Sequence, residues 1–360
     1  MLRIPGPTPC PEEVLQALAR QMINHRGDEF KEILYRVTER LKEFFQTKNE
    51  VLLLTSSGTG GLEAAVVNTL SPGQKVLGVC GGVFGERFAD IAEKFGAEVK
   101  RLNFPWGQPV DPQAVAQALD AEPDIEGVLV THNETSTGIT NDLASIAQVV
   151  KERGRLLLVD AISSLGCIDL QTDAWGCDVV VTASQKGWMV PPGLAFVSVS
   201  QQAWEAHRKS RMPRFYWDFS QAKKYFEIGQ TPWTPAISVF YALDASLELM
   251  AQEGLTNIFA RHARVGQRTR DGIKSLGLSL FAQESHASNT VTAVKLPPGI
   301  DGAKLLRKMR QEQGIVLAGG QRELSGKIFR IGHLGWVTEQ DIEVVLEKLK
   351  LVLAELGFTA

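Results

Sequence analysis

Lys186 lies in Val181-Thr182-Ala183-Ser184-Gln185-Lys186-Gly187-Trp188-Met189-Val190-Pro191-Pro192-Gly193, between a β-branched run and a Gly/Pro-rich turn. That position predicts a lysine just past a strand end, its amine projecting from a sheet edge. Small and apolar neighbours desolvate the ammonium and lower its pKa. A desolvated amine is a nucleophile, suited to Schiff-base formation with an aldehyde. Most loop lysines are solvated surface groups, so Lys186 gains meaning from the residues that accompany it.

Asp160 ends the run Leu156-Leu157-Leu158-Val159-Asp160. Such a run reads as a buried strand whose carboxylate emerges at the C-terminal edge, where open α/β sheets place ligands. An N-cap is the ordinary alternative use of such an Asp. Beside the pyridine nitrogen of a pyridoxal ring, the carboxylate would keep that nitrogen protonated, so the ring could take electrons from a substrate carbanion. A third element, Val51-Leu52-Leu53-Leu54-Thr55-Ser56-Ser57-Gly58-Thr59-Gly60-Gly61, runs from an apolar strand through hydroxyls and glycines into a helix. Its backbone and helix start suit a phosphate. It lacks the Lys-Ser/Thr ending of a P-loop and the spacing of a dinucleotide fingerprint, which argues for a smaller phosphate ligand than ATP or NAD.

Together these residues resemble the class V, fold type I aminotransferases, in particular the alanine–glyoxylate and serine–glyoxylate (serine–pyruvate) enzymes. The resemblance spans nearly the whole chain. It rests on Pro5-Gly6-Pro7-Thr8, Thr55 to Ala65, Thr131-His132-Asn133-Glu134-Thr135-Ser136-Thr137-Gly138, Val159 to Gly166, Ser184-Gln185-Lys186 with Pro191-Pro192-Gly193, and Arg330-Ile331-Gly332. It implies a fold type I transferase with a mostly parallel seven-stranded sheet in a large domain and a smaller α+β C-terminal domain. It also implies pyridoxal 5′-phosphate as cofactor, with Lys186 and Asp160 catalytic, and transfer of an amino group from serine or alanine to glyoxylate or pyruvate.

Matched position by position, the resemblance gives Ser57, Gly58, Thr59 and Gln185 to the cofactor phosphate and Phe84 to stacking on the ring, where relatives often carry Trp. Ile162 falls to the second ring face and Thr135 to the neighbourhood of the ring oxygen. Arg330 becomes the clamp for the substrate α-carboxylate, because its planar fork makes two parallel hydrogen bonds that lysine cannot. Gly6 covers the same pocket. Gln230 and Thr231, in Gln230-Thr231-Pro232-Trp233-Thr234, match a segment that reaches the partner subunit's cofactor, which implies a homodimer with composite sites. Which side chain makes that contact is left open. His25-Arg26 leaves two readings: an edge of the substrate entrance, or a cap for the helix starting near Asp28. His132 is expected to support the active-site loop, since no second His or Cys lies at metal-ligand spacing. No second cationic clamp for the substrate is evident.

These groups need a scaffold, and the chain supplies one. It has 360 residues, 44% hydrophobic, with net charge −3. Such a length suggests a large domain with a smaller one. The charge offers no case for nucleic acid. The start is too short and proline-broken for a signal peptide, and no apolar run suits a bilayer. Cys10, Cys80, Cys167 and Cys177 have no paired spacing and are expected to stay reduced in a cytoplasm. Strands are expected at Val51–Leu54, Lys75–Val79, Ala97–Leu102, Gly127–Val130, Leu156–Asp160, Asp178–Thr182 and Leu194–Ser198. Helical patterns lie between several of them, as at Phe88–Phe95 and Leu143–Arg153, which predicts a parallel sheet covered on both faces. A long helix, about Ala236 to Glu253, leads into an α+β remainder. Its strands are expected at Val291–Leu296, Ile315–Ala318 and Ile328–Ile331, its helices at Gly302–Gln313 and Glu339–Leu356. The division expected is 1–20 as a segment crossing the site, 21–245 as the large domain and 246–360 as the small one.

Three other readings stand against this one. A desulfurase-like lyase of the same fold needs a Cys in the C-terminal half, and none follows Cys177. An NAD-dependent oxidoreductase would need the missing fingerprint. A PLP-fold partner subunit, such as the small subunit of a soluble hydrogenase, need not retain every catalytic position, as this chain does.

Overall fold

The computed structural model describes residues 1–358. Its strands in chain order are β1 (Glu50–Ser56), β2 (Lys75–Cys80), β3 (Glu98–Asn103), β4 (Gly127–Thr131), β5 (Asn133–Glu134), β6 (Ile139–Thr140), β7 (Leu156–Asp160), β8 (Val179–Ala183), β9 (Gly193–Val199), β10 (Val291–Lys295), β11 (Ala318–Gly319) and β12 (Ile328–Gly332). Seven of them form one sheet in the order β1-β9-β8-β7-β4-β2-β3. Neighbours pair in parallel except at β9, which runs antiparallel to both β8 and β1. The fold is therefore the α/β architecture expected, with its strands within about two residues of the expected spans.

The central strands are continuous apolar runs because both sheet faces are covered. All of β4, β7 and β8 is buried, as parallel strands between helical layers must be. The helices are α1 (Glu12–Leu18), α2 (Asp28–Phe45), α3 (Gly58–Thr69), α4 (Val83–Lys94), α5 (Pro112–Ala121), α6 (Leu143–Glu152), α7 (Gln201–Lys209), α8 (Phe219–Glu227), α9 (Ile237–Glu253), α10 (Leu255–Ser275), α11 (Gly302–Gln311) and α12 (Glu339–Glu355). On one face α2 buries Phe30, Ile33, Leu34, Val37, Leu41 and Phe44, the spacing of a single helical stripe. Phe30 meets Phe240 of α9 edge to face, with ring centroids 5.1 Å apart. Removing that buried ring would cost about 3–5 kcal/mol. The other face carries α3, whose Ala64, Ala65, Val66 and Val67 pack over the sheet.

A three-stranded antiparallel sheet, β10-β12-β11, carries the C-terminal part with α10, α11 and α12. The strand expected over 315–318 is displaced: β11 covers only Ala318–Gly319. Val316 instead forms a parallel bridge with Leu2, so the N-terminal residues take the pairing positions that the sequence pattern assigned to a local strand. α4 also starts earlier than the helix expected over 88–95, because its first turn is capped from a distant part of the chain (below).

Strands β1, β2, β4, β7 and β8 all run the same way, so their C-terminal ends lie along one edge of the sheet. Ser57, Phe84, Thr135, Asp160 and Lys186 each follow or end one of these strands. The topology alone brings residues more than a hundred positions apart to a common crevice.

Candidate active site

Ser57, Gly58, Thr59, Phe84, Thr135, Asp160, Ile162, Gln185 and Lys186 line one cavity at this edge, joined by Leu62, Arg87, Asn133 and Ser163. Lys186 follows β8 by three residues, in a turn closed by Met189 N–H donating to the Lys186 carbonyl at 3.1 Å. Met189 holds a left-handed φ of 58° there, the kind of backbone strain that persists where surrounding structure enforces it. Lys186 Nζ donates to the Pro5 carbonyl at 2.6 Å. A Cβ on Gly6 would stand 2.5 Å from that nitrogen, so the glycine leaves the amine its room. Thr8 ties the same segment to the lysine turn, its N–H donating to the Gln185 carbonyl at 3.1 Å and its hydroxyl to the Lys186 carbonyl at 2.9 Å.

Burial pulls the Lys186 amine down to about 8, helped by Arg330 and Arg87 and opposed by Asp160. The opposite holds for Asp160, which is 3% exposed. Burial pushes its carboxyl up to about 7, although Ile162 N–H donates to it at 2.9 Å and Lys186 and Arg87 favour its charged form. Two groups with displaced titrations in opposite senses, in one crevice, are a recognised mark of acid–base chemistry.

The start of α3 is suited to an anion. Ser57 caps that helix, accepting Gly60 N–H at 3.5 Å, and the first helical N–H groups have no partner within the helix. Ser57 and Thr59 are exposed, whereas Gly58 is buried. A Cβ on Gly58 would meet Ile162 Cδ1 at 2.6 Å, so only glycine lets the loop close over Ile162. Gln185 Oε1 is buried with no hydrogen-bond partner. Thr135 Oγ donates to Ser163 Oγ at 2.7 Å.

Arg330, in the centre of the three-stranded sheet, is 5% exposed. It borders the cavity through Thr135, donating from Nη1 to the Thr135 carbonyl at 3.1 Å and from Nε to the Gly319 carbonyl at 3.0 Å. Gln230 and Thr231 are not gathered into this cavity. Thr231 lines a separate small cavity with Leu53, Tyr216, Trp217 and Trp233. Arg26 holds the segment, Nη1 donating to Gln230 Oε1 at 2.7 Å and to the Thr231 carbonyl at 2.9 Å. It does not cap α2, whose N-cap is Gly27 with no side-chain bond. His132 is buried, its ring edge-on to Trp175, and burial lowers it to about 4. The backbone N–H of His132 donates to the Asp160 carbonyl at 2.9 Å.

Four cavity residues escaped the sequence reading. Leu62, Asn133 and Ser163 sit inside motifs already singled out. Arg87 lies one helical turn beyond Phe84, its guanidinium 4.9 Å from the centre of that ring. The spacing of three on a helix was the available signal.

The donor set fits pyridoxal phosphate: an anion site at a helix start, an aromatic and an aliphatic wall, a buried carboxyl, and an amine depressed toward neutrality. Comparison with known proteins agrees. The family model described as aminotransferase class-V matches residues 2–337. A protein named soluble hydrogenase, small subunit, from Synechococcus sp. (strain PCC 6716) is 47% identical over 362 residues, covering 100% of this chain and 94% of that one. The serine–glyoxylate aminotransferase of Arabidopsis thaliana is 36% identical, covering 99% and 91%. The crystal structure of alanine–glyoxylate aminotransferase from Nostoc sp. superposes with a TM-score of 0.95 at 32% identity, over 98% of this chain and 94% of that one.

Proposed function

This chain belongs to the class V aminotransferases, and from that premise we propose that it moves an amino group from serine or alanine to glyoxylate or pyruvate in two half-reactions on pyridoxal phosphate. The observation that carries this reading is the meeting of Lys186, Asp160 and the α3 helix start in one cavity. When bound, the cofactor supplies an aldehyde and a ring that stores an electron pair. Ser57, Thr59 and the α3 N–H groups hold its phosphate. Phe84 and Ile162 flank its ring, and Asp160 holds a proton at the ring nitrogen. Lys186, desolvated and close to neutral, moves a proton at the substrate Cα. Arg330 orients the substrate carboxylate, and the Pro5-Gly6 segment covers the pocket and excludes water.

The active unit in this reading is a homodimer. Ser57 and Thr59 stand exposed in the single chain, and Arg26 holds a segment in which Gln230 is half-buried and Thr234 exposed, while Thr231 is buried. Beside it Phe215, 75% exposed, stacks on Trp233, which stacks on Tyr216. A second copy would cover these rings and bring Gln230 and Thr231 to the phosphate. The compartment is cytoplasmic, in keeping with four free cysteines. The described residues contain no helix long and apolar enough to cross a membrane.

A lyase reading is disfavoured by the thiols, since burial pushes Cys177 up to about 12. Association with another protein, as the name of the Synechococcus relative implies for that protein, adds to the enzymatic reading without replacing it. A donor and acceptor panel tests the proposal. Serine or alanine alone should release about one 2-oxo acid per chain, and glyoxylate or pyruvate should then restore the starting enzyme. Failure of every amino acid to yield a 2-oxo acid would contradict it.

A further inference from the structure

Helix α4 carries Phe84 in its first turn but cannot cap itself. Its N-cap is Gly82, which has no side chain to accept the free N–H groups that begin every helix. Those groups are satisfied instead by the last residue of β5 and the hairpin turn that follows it. Ser136 Oγ accepts Val83 N–H at 3.1 Å. Glu134 Oε2 accepts Phe84 N–H at 3.1 Å and Gly85 N–H at 3.0 Å. Its other oxygen, Oε1, accepts Ser136 N–H at 3.1 Å and Ser136 O–H at 2.5 Å.

Glu134 is 2% exposed, so this is a buried carboxylate with four donors and, among the described residues, no cationic partner at ion-pair distance. Burial pushes its carboxyl upward, and the four donors oppose the shift. The helix dipole favours negative charge at this end. The arrangement also explains Gly82: a Cβ there would lie 2.5 Å from Glu134 Cδ and 2.6 Å from Ser136 Oγ, so any side chain would expel the cap.

We propose that Glu134 is a positioning residue for the cofactor: by fixing the backbone of Phe84 and Gly85 it sets the Phe84 ring as one wall of the cofactor cavity. Arg87, over the same ring, backs it from within the same turn. The neighbouring residue Thr135 gives its carbonyl to Arg330, so one short turn seats both the stacking ring and the carboxylate clamp. The proposal rests on the cofactor reading above, and its test separates the two.

Glu134→Gln keeps the volume, but its amide cannot accept from four donors. Two measurements apply. In titrations of apoprotein with pyridoxal phosphate, Glu134→Gln should raise the dissociation constant about 10-fold and weaken the visible circular dichroism of the bound cofactor. In a Phe84→Ala background the same change should alter the constant less than about 2-fold, since groups acting through one another are non-additive. Equal factors in both backgrounds would overturn the proposal. The second measurement uses apoprotein with 4-fluorophenylalanine at position 84: one narrow fluorine resonance in the parent should broaden or split with Glu134→Gln, and an unchanged resonance would overturn the proposal. If Glu134→Gln does not fold, Ser136→Ala, which removes one donor and the acceptor for Val83, should shift both readouts the same way by less; no shift would again overturn it. A wild-type chain that binds no pyridoxal phosphate would contradict the proposed function, while the fluorine signal would still decide the role of Glu134.

Discussion

Arg330 and Thr135 are joined directly, guanidinium to carbonyl at 3.1 Å, across the boundary between the three-stranded sheet and the C-terminal strand edge of the large one. A second bond to the Gly319 carbonyl at 3.0 Å fixes the guanidinium from the other side. Two of its donors are thus committed to the protein, and the remaining donors are free for a carboxylate. Arg330→Lys offers one point charge in place of this fork. It should lower kcat/KM for the amino donor about 100-fold, chiefly through KM, with cofactor content unchanged. Half-reaction rates against donor concentration measure this, and an unchanged KM would remove Arg330 from the substrate site.

Asp160→Asn should slow turnover on the order of 100-fold or more, because the amide cannot stabilise a protonated ring nitrogen. Its effect on the apoprotein has a definite sign. The folded carboxyl titrates near 7 against an ordinary 3.8. Between those values the folded state binds more protons than the unfolded one, so wild-type apoprotein loses stability as pH rises through that window. Asn does not titrate. The stability of apo Asp160→Asn relative to wild type should therefore grow between about pH 4 and pH 7, on the order of 3 kcal/mol. Urea midpoints across that range would show it, and a constant difference would refute it.

Gly6→Ala places a methyl 2.5 Å from Lys186 Nζ and forces an L residue to a φ of +132°. The variant should lose about 1–3 kcal/mol of stability and almost all transamination. Melting curves and initial rates together test this. A variant with wild-type rates would mean that the segment does not cover the amine.

Much of this site was legible because strand ends are legible. Apolar runs such as Leu156 to Val159 announce buried parallel strands, and the residue after each run falls at the ligand-binding edge whatever the rest of the chain does. Lys186, Asp160 and Ser57 were found that way. Contacts that the fold alone creates were not legible. The start of α4 carries no local capping signal, since its caps are Glu134 and Ser136, some fifty positions downstream. Likewise Val316 pairs with Leu2, a partner no local pattern reveals. Arg26 remained ambiguous for the same reason, because its acceptors lie on Gln230 and Thr231.

The dimer is tested by mixing chains. Light scattering of active holoprotein should give twice the monomer mass, and a monomer-sized active species would exclude shared sites. In the sharper form, Lys186→Ala chains are combined with chains carrying Gln230→Ala and Thr231→Ala, each inactive or weak alone. Heterodimers should regain one working site. No recovery would confine each site to a single chain.

The account turns on Lys186. As purified, the protein should show a visible absorption band from its cofactor. Borohydride should bleach that band and fix the pyridoxyl group in place. Peptide mapping of the reduced protein is the most direct test: the account requires the label on the peptide containing Lys186 and its disappearance in Lys186→Ala, whereas a label on any other lysine, or none at all, would contradict it.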